Sequence, residues 1–555
     1  MPKEFRKFGP PGTGKTTSLA TTDVPNAVKK YGPDHVMIAS FTKTAAQEIA
    51  SKKSMITGEA ISVNPEHVGT LHALCYRALG NPVIAESKKA EWNNIYGDYY
   101  PIAGSIKGNL DEGGGDAGGN SRGDELLAAL NIHRSKMLDK NIMSNSLSSF
   151  AKKWNDFKQD SGYLDFTDLI SNALENIIYA PGHPRVMFSD ECQDVTPLQL
   201  KLVRSWAQYM DWLVLVGDDD QAIFSFTGAS PEAFLNPPVA AKYKTVLAQS
   251  YRVPRLVLER AERVIKRVSV REPKVYAPRP VEGIVRDLQG TYKNVEKLVN
   301  EIQEVAASGR KVMVLASCSY MIDGVKLALK AKGVPFWNQY RKTRGDWNPL
   351  LRGGNDKVMP VDLLTAFLGE GKDKGYWTIK QLLAWIKDLR VGNNAMIRGS
   401  KKPGIALLKQ AIEDNAEGLY TSRDVLSDLL TPDAMQVALD RNIPWLLENL
   451  TKKRSDALQY PVKVLNAFGK KAIIENPMVT IGTIHSVKGG EADCVFLFPD
   501  ISYNAAKEIA TDNSGKAQDA IHRLFYVAMT RAKEELVLLK PVVAKRSRVP
   551  LFVDM

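Results

Sequence analysis

Three carboxylates crowd into "DECQD" (190–194): Asp190, Glu191 and Asp194, just after the apolar run "VMF" (186–188). Charges this close repel unless something positive sits among them. An acidic turn after a strand is the plain alternative. A second stretch bears on the choice. "GPPGTGKTT" (9–17) fits the spacing GxxxxGK[ST], so Gly9, Pro10, Pro11, Gly12, Thr13, Gly14, Lys15, Thr16 and Thr17 form a candidate phosphate cradle. Its glycines let backbone N–H groups turn inward onto phosphate oxygens. Lys15 would neutralise the β and γ phosphates, and Thr16 would hold Mg²⁺. The alternative for these glycines is a structural turn. A cradle of this kind needs a carboxylate on a second strand for the metal and a base to orient the attacking water. Asp190 is placed for the metal and Glu191 for the water, and a bound cation would relieve the crowding.

Hydrolysis of a triphosphate also needs positive charge on the transition state. Arg252, in "SYRVP" (250–254), and Arg531, after "AMT" in "HRLFYVAMTRAKEEL" (522–536), stand in suggestive contexts. The second stretch reads as an amphipathic helix with an apolar stripe of Leu524, Phe525, Val527 and Ala528. Either arginine taken alone reads as a solvated surface residue. "VGDDDQAIFSFTGA" (216–229) offers Gln221 as a sensor of the γ-phosphate. Phe224 and Phe226 in the same stretch are core or base-stacking residues, and spacing alone favours core.

These residues need a scaffold. "HVMIAS" (35–40), "RVMFSD" (185–190) and "WLVLVGD" (212–218) are apolar runs of strand length ending in small or acidic residues. Buried parallel strands look like this, and ligands sit at their C-terminal ends. A second α/β unit is expected from "GIVRDL" (283–288) onward, resuming at "MVTIGTIHS" (478–486), "CVFLFPD" (494–500) and "ELVLLK" (535–540). Two mostly helical stretches interrupt the units. The first contains the Gly-rich run "DEGGGDAGGNSRGDE" (111–125), expected as a loop. The 555 residues exceed one core, and the net charge of +12 favours a polyanionic partner, nucleic acid before membrane. The four cysteines show no CxxC spacing, so reduced thiols in a cytoplasmic protein are expected, without a zinc module. No secretory signal and no long apolar run is apparent.

The assembled motifs resemble the UvrD/Rep/PcrA family of superfamily 1 DNA helicases, and they occur in that family's order. After the phosphate loop come "ASFTKTAAQEIA" (39–50), "VGTLHALC" (68–75), "DECQD" and "VGDDDQAIFSFTGA"; then "LAQSYRVP" (247–254), "TIHSVKGGEADCVF" (483–496) and "RLFYVAMTRA" (523–532). The resemblance implies an α/β fold of two RecA-like parallel-sheet domains, each carrying a mostly helical insertion. The first domain would be 1–80 and 165–255, interrupted by the insertion 81–164. The second would be 256–335 and 475–555, interrupted by the insertion 336–474.

The resemblance also implies ATP and Mg²⁺ as cofactors and 3′ to 5′ movement on single-stranded DNA with duplex unwinding. Lys15 and Thr16 would bind phosphate and metal, Asp190 Mg²⁺, and Glu191 water. Gln221, Arg252 and Arg531 would contact the γ-phosphate, Tyr251 would stack on adenine, and Glu491 would reach the ribose. Phe41, Thr70, His72, Phe226, Thr483, His485 and Ser486 lie in motifs that track DNA, and Phe226 falls where the family usually has a stacking tryptophan. Thr227 stands where an arginine is usual, Ser250 where asparagine is, and Gly490 where leucine is. With eight residues before Gly9, the family's upstream glutamine motif is expected to be absent, and the short tail after Arg531 is expected to hold no nuclease domain. Implied partners are single-stranded and tailed duplex DNA, with single-strand-binding or replication and repair proteins as candidates, and the chain is expected to be a monomer. The alternatives are a translocase that strips proteins or remodels DNA without processive unwinding, and an ATP-gated nucleic-acid-binding switch.

Overall fold

The computed structural model of the protein describes residues 3–40, 49, 63–104, 121–342, 344–353, 357–369, 376–392, 394–542 and 552–555. Phe41 and much of the expected Gly-rich loop lie outside them. The chain divides into two compact units, Met1–Asp287 with Ile484–Met555, and Leu288–Thr483. Among the described residues no helix is long and apolar enough to cross a membrane.

In the first unit the chain forms β1 (Lys3–Phe8), β2 (Val36–Ser40), β3 (Val68–Thr70), β4 (Val186–Ser189), β5 (Trp212–Gly217) and β6 (Lys244–Val246). Two more strands, β7 (Gln249–Pro254) and β8 (Ala277–Arg279), pair as a separate parallel ribbon, and β9 (Ile284–Leu288) follows. β1 to β6 make one sheet in the order β3-β2-β4-β5-β1-β6, and every pairing is parallel. β2 and β4 are buried along their whole length, because helices cover both faces. On one face Leu71, Leu74, Leu202, Val203 and Trp206 pack against Met37, Met187, Leu213 and Leu215. On the other, Leu19, Ala20 and Val24 pack against Val36, Ile38, Phe188 and Val216. This two-sided burial is why these strands read as continuous apolar runs.

The second unit contains β10 (Val312–Ala316), β11 (Phe336–Trp337) and β12 (Val479–Thr483), parallel in the order β11-β12-β10. Between β11 and β12 its described residues are mainly helical, from Pro360–Leu368 to Lys471–Ile474. The chain then returns to the first unit with β13 (Ala492–Leu497) and β14 (Ala532–Leu539), which pair in parallel. The α/β class with parallel sheets is therefore as expected.

Two local readings need correction. The stretch 522–536 is not one amphipathic helix: the helix Lys516–Met529 ends before Arg531, and β14 starts at Ala532. Pairing with β13 captures the chain there, Ala492 N–H donating to Arg531 O at 3.1 Å, and tertiary context overrides the helical pattern. The helix is buried from His522 to Met529 rather than along one stripe. Likewise the Gly-rich run does not stay a loop to residue 125, because the helix Arg122–Ser135 begins inside it. Ser121 Oγ caps it by accepting from Asp124 N–H at 3.3 Å, and acidic residues in the first turn suit the helix dipole.

A buried ion cluster joins the helices Arg122–Ser135, Asn145–Ser161 and Phe166–Asn176. Asp165 Oδ2 accepts from Arg134 Nη1 at 2.7 Å, Lys158 Nζ at 2.6 Å and Trp154 Nε1 at 3.0 Å. Burial would raise the Asp165 pKa, but Arg134 and Lys158 outweigh it and bring it down to about 2. Neutralising it leaves Arg134 and Lys158 with only Asp168 of the two carboxylates they share, so Asp165→Asn is expected to destabilise the protein, by less than the roughly 3–5 kcal/mol of a fully broken buried pair. The folded-state pKa is depressed, so the stabilisation is complete above the unfolded value of about 3.9 and is lost as pH falls through about 2. Urea midpoints of parent and variant should differ at pH 7 and converge only as pH falls toward about 2.

Candidate functional site

The phosphate loop joins the C-terminal end of β1 to the helix Lys15–Ser18, whose N-cap is Gly14. Gly9 N–H donates to Gly217 O at 3.0 Å, which fixes the loop at the end of β5. Gly12 has φ 73°, and a Cβ there would lie 2.4 Å from Arg252 Cβ and 2.9 Å from Ser250 Oγ. Glycine is needed for the backbone conformation and for the close approach of β7. β7 is held by Tyr251 N–H to Gly12 O at 2.8 Å and Ser250 Oγ to Pro11 O at 2.8 Å. Thr13 Oγ1 donates to Pro10 O at 2.8 Å, Thr17 is exposed, and Lys15 Nζ folds back onto Gly9 O at 2.9 Å.

Asp190 and Glu191 leave the end of β4. Asp190 N–H donates to Ala39 O at 2.9 Å, and Asp190 Oδ2 accepts from Thr16 Oγ1 at 3.3 Å. Burial, then Glu191, pushes the Asp190 pKa up to about 7, with Lys15 opposing. Glu191 sits at φ 54°. Burial would raise its pKa too, but Lys15, Lys488, a hydrogen bond from Gln193 and Arg531 together hold it below the usual range. These charges favour its ionised form, as a base requires.

The donors fit Mg²⁺. A hydroxyl and a carboxylate, both hard oxygens, meet where unrelieved negative charge favours a cation. Among the described residues no group of three or more His, Cys, Asp or Glu side chains offers a metal site of its own. A cation at Thr16 and Asp190 would thus complete its shell with phosphate and water, as Mg²⁺ commonly does.

Gln221 and the two arginines complete this wall. Arg531 is buried at the junction of its helix with β14. Its Nη2 donates to Gln221 Oε1 at 3.0 Å, Nη1 to Gly490 O at 3.2 Å and Nε to Val527 O at 2.9 Å. Gln221 Nε2 donates to Asp218 Oδ2 at 2.7 Å. Arg252 Nε pairs with Glu491 Oε2 at 2.7 Å. The Arg252 guanidinium and, more weakly, Lys533 help to lower the Glu491 pKa against the effect of burial. Tyr251 is 71% exposed on β7, next to the phosphate loop, which leaves its ring open to a flat ligand.

The residues expected to track DNA are distributed more widely. Phe226 is 38% exposed while Phe224 is 4% exposed, so only the first offers a ring face to solvent. His485 meets Phe226 edge-on at 5.2 Å and Phe224 at 6.2 Å. Ser486 is buried in the next position. Thr70 is buried and caps the helix Leu71–Ala78 through Ala73 N–H at 3.2 Å, and His72 packs edge-on against Phe166 at 6.0 Å. Thr483 ends β12 in the second unit.

Sequence reasoning missed the cations around "DDD" (218–220). Lys274 Nζ lies 3.2 Å from Asp218 Oδ1, 2.5 Å from Asp219 Oδ1 and 3.0 Å from Asp220 Oδ2. Arg271 grips Asp220 with two bonds of 2.8 and 2.6 Å. Arg523 Nε donates to Asp219 O at 3.0 Å. Three consecutive acids ending an apolar strand demand such counter-charges, and that demand was the available signal. Which basic residues answer it is a matter of tertiary structure.

The chain's similarities to other proteins converge on these segments. A family described as "AAA domain" matches residues 7–227, and one described as "UvrD-like helicase C-terminal domain" matches residues 447–541. The "ATP-dependent DNA helicase UvrD2" of Mycobacterium tuberculosis is 26% identical over 399 residues, covering 68% of this chain and 51% of its own length. The "Probable DNA helicase II homolog" of Mycoplasma capricolum is 23% identical over 606 residues, covering 97% of this chain and 82% of its own length. The "ATP-dependent DNA helicase PcrA" of Bacillus subtilis is 25% identical, covering 49% of this chain and 39% of its own length. The chain thus spans about half the length of the UvrD2 relative. With both families matched in one chain, and relatives of these names along it, the chain is similar to the UvrD/PcrA-like helicases in both parts.

Proposed function

We propose that the protein hydrolyses ATP with Mg²⁺ to move 3′ to 5′ along single-stranded DNA and unwind duplex. One observation carries this reading: Glu191, half-buried beside Asp190 at the end of β4, has its charged form favoured against burial by Lys15, Lys488, Gln193 and Arg531. Lys15 and Thr16 bind phosphate, Thr16 and Asp190 would hold Mg²⁺, which would shield phosphate charge, and Glu191 takes a proton from water. Arg531, Arg252 and Gln221 stabilise charge on the transferred phosphoryl group. Each arginine is satisfied by a protein partner, Gln221 or Glu491. A γ-phosphate competes for both guanidinium groups, so bound and hydrolysed states differ in these contacts. That difference in affinity is what lets ATP drive a conformational change. Phe226 and His485 supply a base-stacking face that tolerates any sequence, as a translocating protein needs. The six-part domain division expected from the sequence, and a monomer acting on tailed duplexes beside single-strand-binding or replication and repair proteins, belong to the same proposal.

The test is ATP turnover with and without single-stranded DNA, combined with unwinding of 3′-tailed, 5′-tailed and blunt duplexes. Turnover should rise with single strands, and only 3′ tails should support unwinding. Unwinding from 5′ tails alone overturns the polarity, and a chain without turnover overturns the function. Phe226→Ala removes a stacking contact of about 1–3 kcal/mol, so it should weaken stimulation by DNA more than basal turnover. Equal loss of both would make Phe226 a packing residue.

A further inference from the structure

Gln193 is fully buried between Glu191 and Asp194, and its amide joins elements that the proposed chemistry must coordinate. Gln193 Oε1 accepts from Asp218 N–H at 2.9 Å. A backbone N–H can only donate, so this bond fixes which way the amide points. Gln193 Nε2 must then face the carboxylates, and it donates to Glu191 Oε2 and, at 3.3 Å, to Asp194 Oδ2. Asp194 Oδ2 also pairs with Lys488 Nζ. The same ammonium donates to Gln221 O at 3.0 Å and lies 4.7 Å from the centre of the Phe224 ring. Phe224 in turn packs against Phe226 at 5.8 Å and against His485. Contacts therefore run without a gap from the exposed Phe226 ring to the Glu191 carboxylate.

The slot for this amide is built. A Cβ at Gly217, the last residue of β5, would lie 2.5 Å from Gln193 Oε1 and 3.2 Å from Cys192 N. Only glycine lets the amide reach Asp218 N–H.

We propose that Gln193 is a positioning residue: it sets the Glu191 carboxylate for activation of water and ties it, through Asp194 and Lys488, to the Phe226–His485 face. This rests on the reading of the site as a DNA-stimulated ATPase. Gln193 touches no reacting atom and acts through Glu191.

The experiment uses the full chain and its variants Gln193→Met and Gly217→Ala. ATP turnover is read with and without an oligothymidylate, nucleotide affinity with a fluorescent ATP analogue, and folding by thermal melting. A base displaced by about 1 Å costs roughly 10²-fold in rate. In both variants kcat should fall by that order, nucleotide affinity should hold within about threefold, and the ratio of stimulated to basal turnover should approach one. Gly217→Ala reaches this result without changing any polar side chain. Adding Phe226→Ala to Gln193→Met should lower stimulation no further, because sites acting through one chain of contacts are not additive. Parental kcat and stimulation in Gln193→Met, or an undiminished effect of Phe226→Ala in that background, overturns the proposal alone. A parental chain without ATP turnover overturns both it and the reading beneath it.

Discussion

Arg531→Ala should abolish most ATP turnover while the protein still binds the nucleotide. An arginine that neutralises charge in phosphoryl transfer is commonly worth about 10³–10⁵ in rate. Its contribution falls in the transition state, so kcat should carry the loss and nucleotide affinity should change only severalfold. The structure adds a second consequence. Arg531 is buried, and it donates to the protein acceptors Gln221 Oε1, Gly490 O and Val527 O. Truncation leaves these acceptors short of a donor, at about 1–3 kcal/mol for each one that stays unsatisfied. Melting must therefore be measured beside turnover. Arg531→Lys keeps the charge but not the planar fork that reaches Gln221 and Gly490 together, and it should recover little activity. An Arg531→Ala protein with parental turnover would remove Arg531 from the mechanism.

Glu191→Gln should give the second largest loss, about 10²–10⁴ in kcat for a removed general base, with nucleotide binding intact or tighter. The change is nearly isosteric, so the backbone at φ 54° is undisturbed. It also removes the carboxylate that helps to raise the Asp190 pKa. Single-turnover kinetics provide the check: binding should remain fast while the chemical step becomes limiting. A variant slowed in binding but normal in chemistry would make Glu191 a structural acid.

How much was legible beforehand varies by residue. The phosphate loop needs a glycine-rich turn between a strand and a helix, a local arrangement, and the sequence prints it from Gly9 to Thr17. β2, β4 and β5 were visible because burial on both faces leaves no polar alternation. The stretch around Arg531 has a helical period and reads as helix, yet its last third forms β14. Strand pairing with β13, distant in sequence, decided that.

The identity of the charged and stacking groups could thus be read from residue types at short spacing: Lys15, Asp190, Glu191, Gln221, Arg252 and Arg531 all stand in local motifs. Which group serves which could not. Lys274 answers the three aspartates from more than fifty residues away, Arg531 meets Gln221 across the chain, and the slot at Gly217 orients Gln193. A motif is written by the covalent order of its residues, but a counter-charge or a hydrogen-bond partner is chosen by proximity in space, and only the folded chain brings those partners within reach.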